Sequence, residues 1–248
     1  MKVKGMGKRN ASKYPCGGEL GMNPWTQMWL NYFPRAAKGN EAYFEKYRLD
    51  GFEKEHCVIR SALMELERGI QGMLVLPPPV HSSLAQAEKG TFVIRRISEA
   101  GSGVKAEGYH LKEQDGRLFL MAVEEKGVLY GVFDLLRRIA MEESLKGVDV
   151  LCNPDNPNRM LNHWDNMDGS IERGYSGESF FFAENEILVN ERTRDYARFV
   201  ASIGLNGVVI NNVNVKDAAT YLITERYFDR VAELSNIFAD YGIKLYLS

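Results

Sequence analysis

The second half of the sequence alternates strand and helix patterns, and this alternation is the strongest constraint on the fold. Residues 208–210 are an all-apolar segment that predicts a buried parallel strand. Residues 160–164 and 243–247 predict a short strand on either side of it in the sequence. Helical periodicity fills both intervals between them. The order strand, helix, strand, helix, strand predicts parallel strands with right-handed crossovers. We therefore expect an α/β arrangement here.

The two helices in this region are predicted from apolar residues at helical spacing. The first ends at Gly204 and has an apolar face formed by Tyr196, Phe199, Val200 and Ile203. The second is predicted to begin near Glu225 with Thr224 as its N-cap, and to end at Gly242. The residues that share its apolar face are Tyr227, Val231, Leu234, Phe238 and Tyr241.

The first half of the chain predicts an α+β section. The first 55 residues are aromatic and loop-rich, without a clean period. A helix is predicted after His56, a strand over residues 91–97 and a hairpin that turns at Asp115-Gly116. A second helix follows. The apolar faces of the two helices are formed by Ile59, Leu63, Leu66 and Ile70, and by Val128, Val132, Leu135, Leu136 and Ile139.

The domain boundary is predicted in the run CNPDNPNR, residues 152–159, which is rich in proline and asparagine. Residues 1–153 are then an N-terminal α+β accessory domain. Residues 154–248 are the first three strands of a (β/α)8 TIM barrel, which three strands cannot close. Ile243, Leu245 and Leu247 would form an open apolar edge. We expect the sequence to be the front part of a larger protein.

Composition and charge exclude several classes of protein. The formal net charge is -2, which gives no nucleic-acid footprint. No apolar run reaches the roughly 20 residues that a membrane helix needs. Three cysteines without a C-x-x-C pair predict neither a disulfide framework nor a zinc site, and we expect no cofactor or metal. The first twenty residues lack an apolar signal core, so a cytoplasmic location is expected, with an extracellular one as the alternative.

The densest group of chemically active residues lies in the run NHWDNMDGSIERGYSG, residues 162–177. It opens at the carboxyl end of the first parallel strand, where barrel enzymes build their sites. Its indole, carboxylates and guanidinium suit a sugar ring, and the guanidinium suits an acidic sugar. These side chains are Trp164, Asp165, Asp168, Glu172 and Arg173. Alternatively, Trp164 fills the barrel mouth and Arg173 pairs with Glu172 or Asp168 to stiffen the loop.

Three other features have structural alternatives. Asn211, Asn212 and Asn214 follow the second parallel strand and either present amides into a cleft or cap a loop. The glycines of the run GVLYG, residues 127–131, lack a following Lys-Ser/Thr, so they predict close helix–sheet packing rather than a phosphate loop. His163 is interpreted as a structural histidine rather than a base.

At these runs the sequence resembles the xylan α-glucuronidases of glycoside hydrolase family 67. The resemblance is carried by RMLNHWDNMDGSIERGYSG (159–177), RDYARFVASIGLNGVVINNVNV (194–215) and YGIKLYLS (241–248). GVLYGVFDLLRRI (127–139) fits the family's N-terminal domain, which is similar to the accessory domain of hexosaminidase-type enzymes. The resemblance is strong over residues 105–248 and loose before them.

The resemblance implies an activity and a set of site residues. Family members remove glucuronic acid or its 4-O-methyl ether from the end of xylo-oligosaccharides, with inversion and without metal or cofactor. Trp164 and Val213 would line the uronic acid pocket, and Glu172 would be a carboxylate close to the substrate. The residues implied as neighbours are Asp165, Arg173, Asn211 and Asn212. Full-length members often form homodimers through a C-terminal region.

The resemblance also implies that the catalytic pair is missing. An inverting glycosidase needs an acid and a base about 6.5–9.5 Å apart, and in the family these carboxylates come from later barrel strands. No residue here is assigned as catalytic, and we expect no turnover by this chain alone. A self-sufficient Asp168–Glu172 pair is disfavoured because Gly169 and Gly174 predict a loop. The alternative function is a non-catalytic carbohydrate-binding or interaction module on residues 1–150, supported by Trp25 and Trp29.

Overall fold

The computed structural model describes Leu30 and residues 32–83, 87–211 and 217–247. Every element named below belongs to one compact unit, Tyr32–Ser248. Within the described residues, no helix combines the length and apolarity needed to cross a membrane. The helices are α1 (Cys57–Gly69), which continues as a π-helical turn (Ile70–Leu74), α2 (Glu125–Ala140), α3 (Glu191–Ser202) and α4 (Phe228–Ala239). Short 3-10 turns cover Asn40–Tyr43 and Asp217–Tyr221.

Eleven strands are present in the described part of the chain. They are β1 (Lys46–Asp50), β2 (Val80–His81), β3 (Thr91–Arg96), β4 (Tyr109–Gln114), β5 (Arg117–Ala122), β6 (Asp149–Cys152), β7 (Met160–Asn162), β8 (Phe182–Ala183), β9 (Glu186–Ile187), β10 (Gly207–Val209) and β11 (Lys244–Tyr246). The first six form one mixed sheet, three others form a parallel sheet, and β8 and β9 form a small hairpin.

The six-stranded sheet has the order β2-β1-β3-β5-β4-β6. β1 is parallel to β2 and β3, and β3 is parallel to β5, whereas β4 is antiparallel to β5 and β6. The predicted hairpin is confirmed as β4 and β5. Asp115 and Gly116 connect them with φ values of 53° and 75°, the positive values that a two-residue turn of this kind requires.

Helices α1 and α2 pack together, and α2 covers the face of the sheet formed by β4 and β5. Both predicted apolar faces are confirmed as buried, except that Leu63 is half-buried. The glycines of α2 permit its close approach to the sheet. A Cβ atom at Gly127 would lie 2.2 Å from the carbonyl oxygen of Gly108, and one at Gly131 would lie 2.3 Å from Leu120 Cδ1. The predicted packing role of both glycines is therefore confirmed.

Two details of the first half differ from the sequence analysis. The first 55 residues are not entirely irregular, because Lys46–Asp50 form β1 inside the sheet. The outward side chains of β1 are polar, so the strand has no apolar run that would reveal it. The connector predicted from Cys152 starts one residue later, because Cys152 ends β6. Trp25 and Trp29 lie outside the described residues.

The three-stranded sheet confirms the predicted strand–helix alternation. β7, β10 and β11 are parallel, with β10 in the centre, and α3 and α4 lie in the two connections. One face is buried at Val208, which pairs in register with Leu161 and Leu245. The opposite face is exposed, because Met160 and Tyr246 retain 45% and 39% of their accessible surface.

The ends of the helices differ from three sequence expectations. α4 begins at Phe228, and the Thr224 hydroxyl donates to the Tyr221 carbonyl oxygen at 2.6 Å inside a turn, so Thr224 is not an N-cap. Ile203 lies beyond the last residue of α3 and is 54% exposed rather than part of its apolar face. Gly204 ends α3 as predicted, with φ at 77°.

The predicted apolar edge is also not formed as expected. Ile243 is buried and its N–H donates to the carbonyl oxygen of Phe238, so it closes α4 rather than standing on the edge of the sheet. Leu245 and Leu247 are half-buried, and the exposed residues of β11 are Lys244 and Tyr246.

Two ionic clusters join the first section (residues 32–153) to the second section (residues 154–247). Glu65 on α1 accepts two bonds from the guanidinium of Arg198 on α3, at 2.5 Å and 2.9 Å, and both side chains are buried. Glu107 pairs with Lys126 and also with Arg159 at 2.6 Å. Because Arg159 directly precedes β7, this cluster holds the start of the parallel sheet against the first section.

Candidate functional site

The carboxyl edge of the parallel sheet brings the predicted site segments together. Asn162 at the end of β7 pairs in register with Val209 at the end of β10. The His163 N–H donates to the Val209 carbonyl oxygen at 2.8 Å and extends this pairing by one residue. Trp164 and Asn211 therefore follow neighbouring strands at the same edge, as the sequence predicts.

The segment after β7 folds back on itself as a loop. The Glu172 N–H donates to the Trp164 carbonyl oxygen at 2.8 Å, and Asp165 forms an isolated antiparallel bridge with Ile171. Gly169 and Gly174 have φ values of 95° and 92°, which glycine adopts without a steric penalty. The prediction of a loop rather than a helix is confirmed, and the return places Glu172 beside Trp164.

Trp164 and Glu172 present an accessible indole and a partly accessible carboxylate. Trp164 is 42% exposed, and Glu172 is half-buried. Glu172 has φ at 54°, a left-handed conformation that costs a non-glycine residue roughly 1 kcal/mol or more. The Ser176 hydroxyl donates to Glu172 Oε2 at 3.4 Å. A hydrogen bond to Glu172 raises the pKa of the exposed Tyr175 hydroxyl.

Asp165 points away from the accessible side of the loop. Its Oδ2 accepts from the Ser179 hydroxyl at 2.5 Å and from the Phe180 N–H at 2.7 Å, and the side chain is almost completely buried. Burial alone would raise the pKa of this carboxyl, but hydrogen bonds from His163, Ser179 and Phe180 lower it below its ordinary value. Asp165 thus fixes the turn that supports the loop.

His163 is a structural residue, as the sequence interpretation has it. Its Nε2 lies 2.5 Å from the Tyr196 hydroxyl, and its Nδ1 lies 3.6 Å from Asp165 Oδ1. Its ring packs edge-on against Phe181, with the centroids 4.9 Å apart. Both ring nitrogens therefore face groups of the protein.

Substitution of Asp165 is expected to destabilise the protein in a pH-dependent way. Because its folded-state pKa is lowered, its contribution is complete above the unfolded pKa of about 3.9 and is lost as the pH falls through the folded pKa. Asp165→Asn should cost about 1–2 kcal/mol of unfolding free energy at pH 7. Urea unfolding at pH 7 and pH 3 should show this difference shrinking at the lower pH.

The matched control is Asp155→Asn, at an exposed carboxylate in the connector, which should change stability little at either pH. An Asp165→Asn cost that stays constant from pH 7 to pH 3 would contradict the assignment.

The alternative that Arg173 stiffens the loop by pairing is wrong. Arg173 is exposed, and no carboxylate of the described residues lies within ion-pair distance of it. Asp168 accepts from the Ser170 N–H and hydroxyl at 2.8 Å and 2.6 Å, so it is used inside the loop. Trp164 is exposed rather than a buried filler. Trp164, Glu172 and Arg173 are thus at least partly accessible on one loop, and Glu172 also bonds to the neighbouring Ser176 hydroxyl.

The second predicted segment is only partly described. Asn211 is 4% exposed and lies at the carboxyl end of β10. Asn212 and Val213, which were predicted as a neighbour and a wall of the pocket, lie outside the described residues. The sequence prediction did not include Tyr175, which is 69% exposed and contacts Glu172. Its spacing of three residues from Glu172 does not by itself reveal this contact, because the contact depends on how the loop folds.

Other clefts lie away from this edge. A groove of about 570 Å³ lies on the first section and is lined by Leu63, Met64, Pro78 and His81 among others, and it holds none of the predicted site residues. Among the residues that the structure describes, no three His, Cys, Asp or Glu side chains are grouped as a metal site would require.

Two family models match consecutive parts of the chain. The model described as the glycosyl hydrolase family 67 N-terminus matches residues 28–135, and the model described as the family 67 middle domain matches residues 138–248. Together they cover most of the sequence. The chain belongs to glycosyl hydrolase family 67.

The curated relatives carry a more specific name. The chain is 32% identical over 229 residues to a probable alpha-glucuronidase A of Aspergillus terreus. The aligned region covers 88% of this chain and 27% of that relative. The chain is also 36% identical over 167 residues to the alpha-glucuronidase A of Emericella nidulans, and this aligned region covers 62% of this chain and 19% of that relative. The chain thus spans about a quarter or less of these relatives.

Solved structures share the fold at low sequence identity. A family GH115 4-O-methyl-alpha-glucuronidase superimposes with a TM-score of 0.55 at 14% identity, over 84% of this chain and 29% of that one. A GH20 beta-N-acetylhexosaminidase from Streptomyces coelicolor A3(2) gives a TM-score of 0.55 at 17% identity, over 86% and 42%. These similarities show the mixed α/β fold.

Proposed function

We propose that this chain is part of an α-glucuronidase that releases glucuronic acid or its 4-O-methyl ether from the end of xylo-oligosaccharides. Membership of family 67 and the names of the relatives support this activity. The substrate partner is then a xylo-oligosaccharide that carries glucuronic acid. The loop at residues 162–177 forms one wall of the pocket for the uronic acid.

The second section is proposed to begin a (β/α)8 barrel, preceded by an accessory domain that ends near residue 153. Parallel sheets normally have both faces covered. Among the described residues, helices cover one face of β7, β10 and β11, and the other face exposes Met160 and Tyr246. An exposed inner face opposite a helical layer is what the first strands of a barrel would present to the remaining ones.

The observation that carries the pocket assignment is the hydrogen bond between the Glu172 N–H and the Trp164 carbonyl oxygen. It keeps an exposed indole and a carboxylate side by side at the carboxyl edge of the sheet. The indole face suits the C–H face of a sugar ring, and the carboxylate can accept hydrogen bonds from sugar hydroxyls. Arg173 supplies a guanidinium fork that suits the uronate carboxylate.

Around these residues we propose a wider pocket lining. The family resemblance supports Val213 and Asn212, which lie outside the described residues, as further members of this lining, together with Asn211 and Asp165. Asp165 acts in this proposal by holding the loop, because its carboxylate bonds to Ser179 and Phe180.

Saturation-transfer NMR of an aldouronic acid, a xylo-oligosaccharide ending in 4-O-methylglucuronate, tests the proposal on the full chain. We expect a Kd on the order of 1 mM, equivalent to about 4 kcal/mol of binding free energy. Trp164→Ala should weaken binding about tenfold by removing the stacking surface. Glu172→Gln should weaken it less, because an amide oxygen still accepts hydrogen bonds but carries no charge.

Matched controls remove similar groups elsewhere: Met141→Ala at an exposed apolar side chain after α2, and Glu233→Gln at an exposed carboxylate on α4. Neither should change the Kd. Equal binding of the unsubstituted xylo-oligosaccharide, or wild-type affinity in Trp164→Ala, would refute the pocket assignment.

A further inference from the structure

The hairpin formed by β8 and β9 packs against the loop at residues 162–177 (the pocket loop). The Asn185 N–H, in the turn of this hairpin, donates to the Met167 carbonyl oxygen at 2.8 Å. Gly169 lies against β8, since a Cβ atom built on it would be 3.6 Å from the Ala183 Cα atom. Met167 itself is 3% exposed. The middle of the pocket loop is therefore fixed by main-chain contacts with the hairpin.

The turn of the hairpin leaves the main chain of Asn185 available for contacts outside the hairpin. Glu184 and Asn185 have φ values of 52° and 64°, the positive values that a two-residue turn between strands requires. The strand pairing ends at Ala183 and Glu186. The N–H and the carbonyl oxygen of Asn185 thus lie outside the pairing, and each of them bonds to another part of the protein.

The Asn185 carbonyl oxygen accepts a hydrogen bond from the Tyr227 hydroxyl at 2.9 Å. Tyr227 directly precedes α4 and is 1% exposed. A buried tyrosine normally finds a hydrogen-bond partner for its hydroxyl. Here that partner belongs to the turn that also bonds to Met167, so the start of α4 is joined to the pocket loop through a single residue of the main chain.

This path connects two different strand–helix connections of the parallel sheet. The bonds from Asp165 to Ser179 and Phe180 stay within the connection from β7 to α3. Tyr227, in contrast, is the last residue of the connection from β10 to α4, which begins with Asn211. The two segments that the sequence predicts as parts of one site are therefore linked behind the carboxyl edge of the sheet.

We propose that Tyr227 is a positioning residue of the uronic acid pocket. Its hydroxyl, acting through the main chain of Asn185, keeps the pocket loop in the conformation that places Trp164 beside Glu172. Tyr227 itself does not contact the sugar. The inference rests on the proposed function, because the position of this loop affects binding of the uronic acid only if the loop is a wall of its pocket.

Tyr227→Phe removes the hydroxyl and retains the buried ring. Without the bond to Asn185, the pocket loop should spend part of its time in conformations that do not bind, and the apparent affinity falls by the fraction that remains competent. The net strength of one neutral hydrogen bond limits this effect to about fivefold. We expect the Kd of the aldouronic acid, measured on the full chain by saturation-transfer NMR, to rise about two- to fivefold.

The matched control is Tyr130→Phe. Tyr130 is 8% exposed, and its hydroxyl donates to the Leu205 carbonyl oxygen at 3.4 Å. Leu205 precedes β10, so this bond lies at the amino end of the parallel sheet, whereas the pocket loop lies at the carboxyl end. Both substitutions remove a hydroxyl that donates to a main-chain carbonyl, but Tyr130→Phe should leave the Kd unchanged.

Limited trypsin cleavage after Arg173 measures the pocket loop without any ligand. Arg173 is an exposed residue of this loop, and cleavage there depends on how often the loop opens locally. The fragment that ends at Arg173 should appear about two- to fivefold faster in Tyr227→Phe than in the wild type. A general loss of stability would accelerate cleavage in Tyr130→Phe as well, whereas a positioning role accelerates it in Tyr227→Phe alone.

The two measurements keep this inference separate from the proposed function. A wild-type protein that does not bind the aldouronic acid would refute the proposed function, and the cleavage rates would still decide whether Tyr227 fixes the loop. A wild-type cleavage rate in Tyr227→Phe, or equal acceleration in Tyr130→Phe, would overturn the proposal. Faster cleavage after Arg173 together with an unchanged Kd would also overturn it, because the bond would then hold the loop without positioning it for the ligand.

Discussion

Replacing Arg198 with methionine is expected to lower the unfolding free energy by about 3–5 kcal/mol, the range for breaking one side of a buried ion pair. Glu65 is fully buried and accepts two bonds from the Arg198 guanidinium. After the substitution, its charge keeps only Arg68 at 3.2 Å as an ion-pair partner among the described residues. Urea unfolding of both proteins at pH 7 measures the difference.

A double-mutant cycle shows whether the loss comes from the stranded charge. Glu65→Leu/Arg198→Met removes both charges, so it should be less destabilised than Arg198→Met alone. The control Arg230→Met breaks an exposed pair with Glu233 and should cost about 1 kcal/mol or less. Similar losses in Arg198→Met and Arg230→Met would mean that the pair does not join the two sections as described.

Gly127→Val is expected to cost about 3 kcal/mol, the upper end for overpacking a filled site. Its new Cβ atom would lie 2.2 Å from the Gly108 carbonyl oxygen and 3.1 Å from Ala122 Cβ. The oxygen belongs to the main chain just before β4, so it cannot move as a side chain could. Gly127→Ala should lower the unfolding free energy less than Gly127→Val does, because alanine has a higher helix propensity than glycine, and this difference offsets up to about 1 kcal/mol of the cost.

Thermal and urea unfolding of Gly127→Val and Gly127→Ala measure how much stability each variant loses relative to the wild type. The control Asn236→Val introduces the same side chain at an exposed position of α4 and should change stability by about 0.5 kcal/mol or less. A Gly127→Val protein as stable as the wild type would show that α2 does not lie against Gly108 as described.

Local patterns predicted the elements whose apolar residues are periodic. The faces of α1 and α2, the Asp115-Gly116 hairpin and the three parallel strands each follow from neighbouring residues alone. The sequence did not predict β1, because the outward residues of this strand are charged and its pairing with β3 joins residues more than forty positions apart. Thr224 is a residue type that N-caps favour, but its hydroxyl donates to a carbonyl oxygen in the preceding turn instead of capping α4.

The position of the candidate site segment in the fold could be predicted from sequence, but the orientation of its side chains could not. The run of residues 162–177 was expected to start at the carboxyl end of a parallel strand, and in the structure it follows β7. Spacing could not show that Asp165 turns inward to Ser179 whereas Glu172 stays accessible, because that depends on positive φ values and a long-range bond. Tyr175 was missed for the same reason, since its contact with Glu172 exists only in the folded loop.

The most direct test of the central claim is the indole N–H signal of Trp164 in a protein-observed NMR titration with the aldouronic acid. Trp164→Phe assigns this signal among those of the three tryptophans. If the loop at residues 162–177 is a wall of the uronic acid pocket, the Trp164 signal shifts in a saturable way, and the unsubstituted xylo-oligosaccharide leaves it in place. A Trp164 signal that does not move at saturating aldouronic acid would contradict the account.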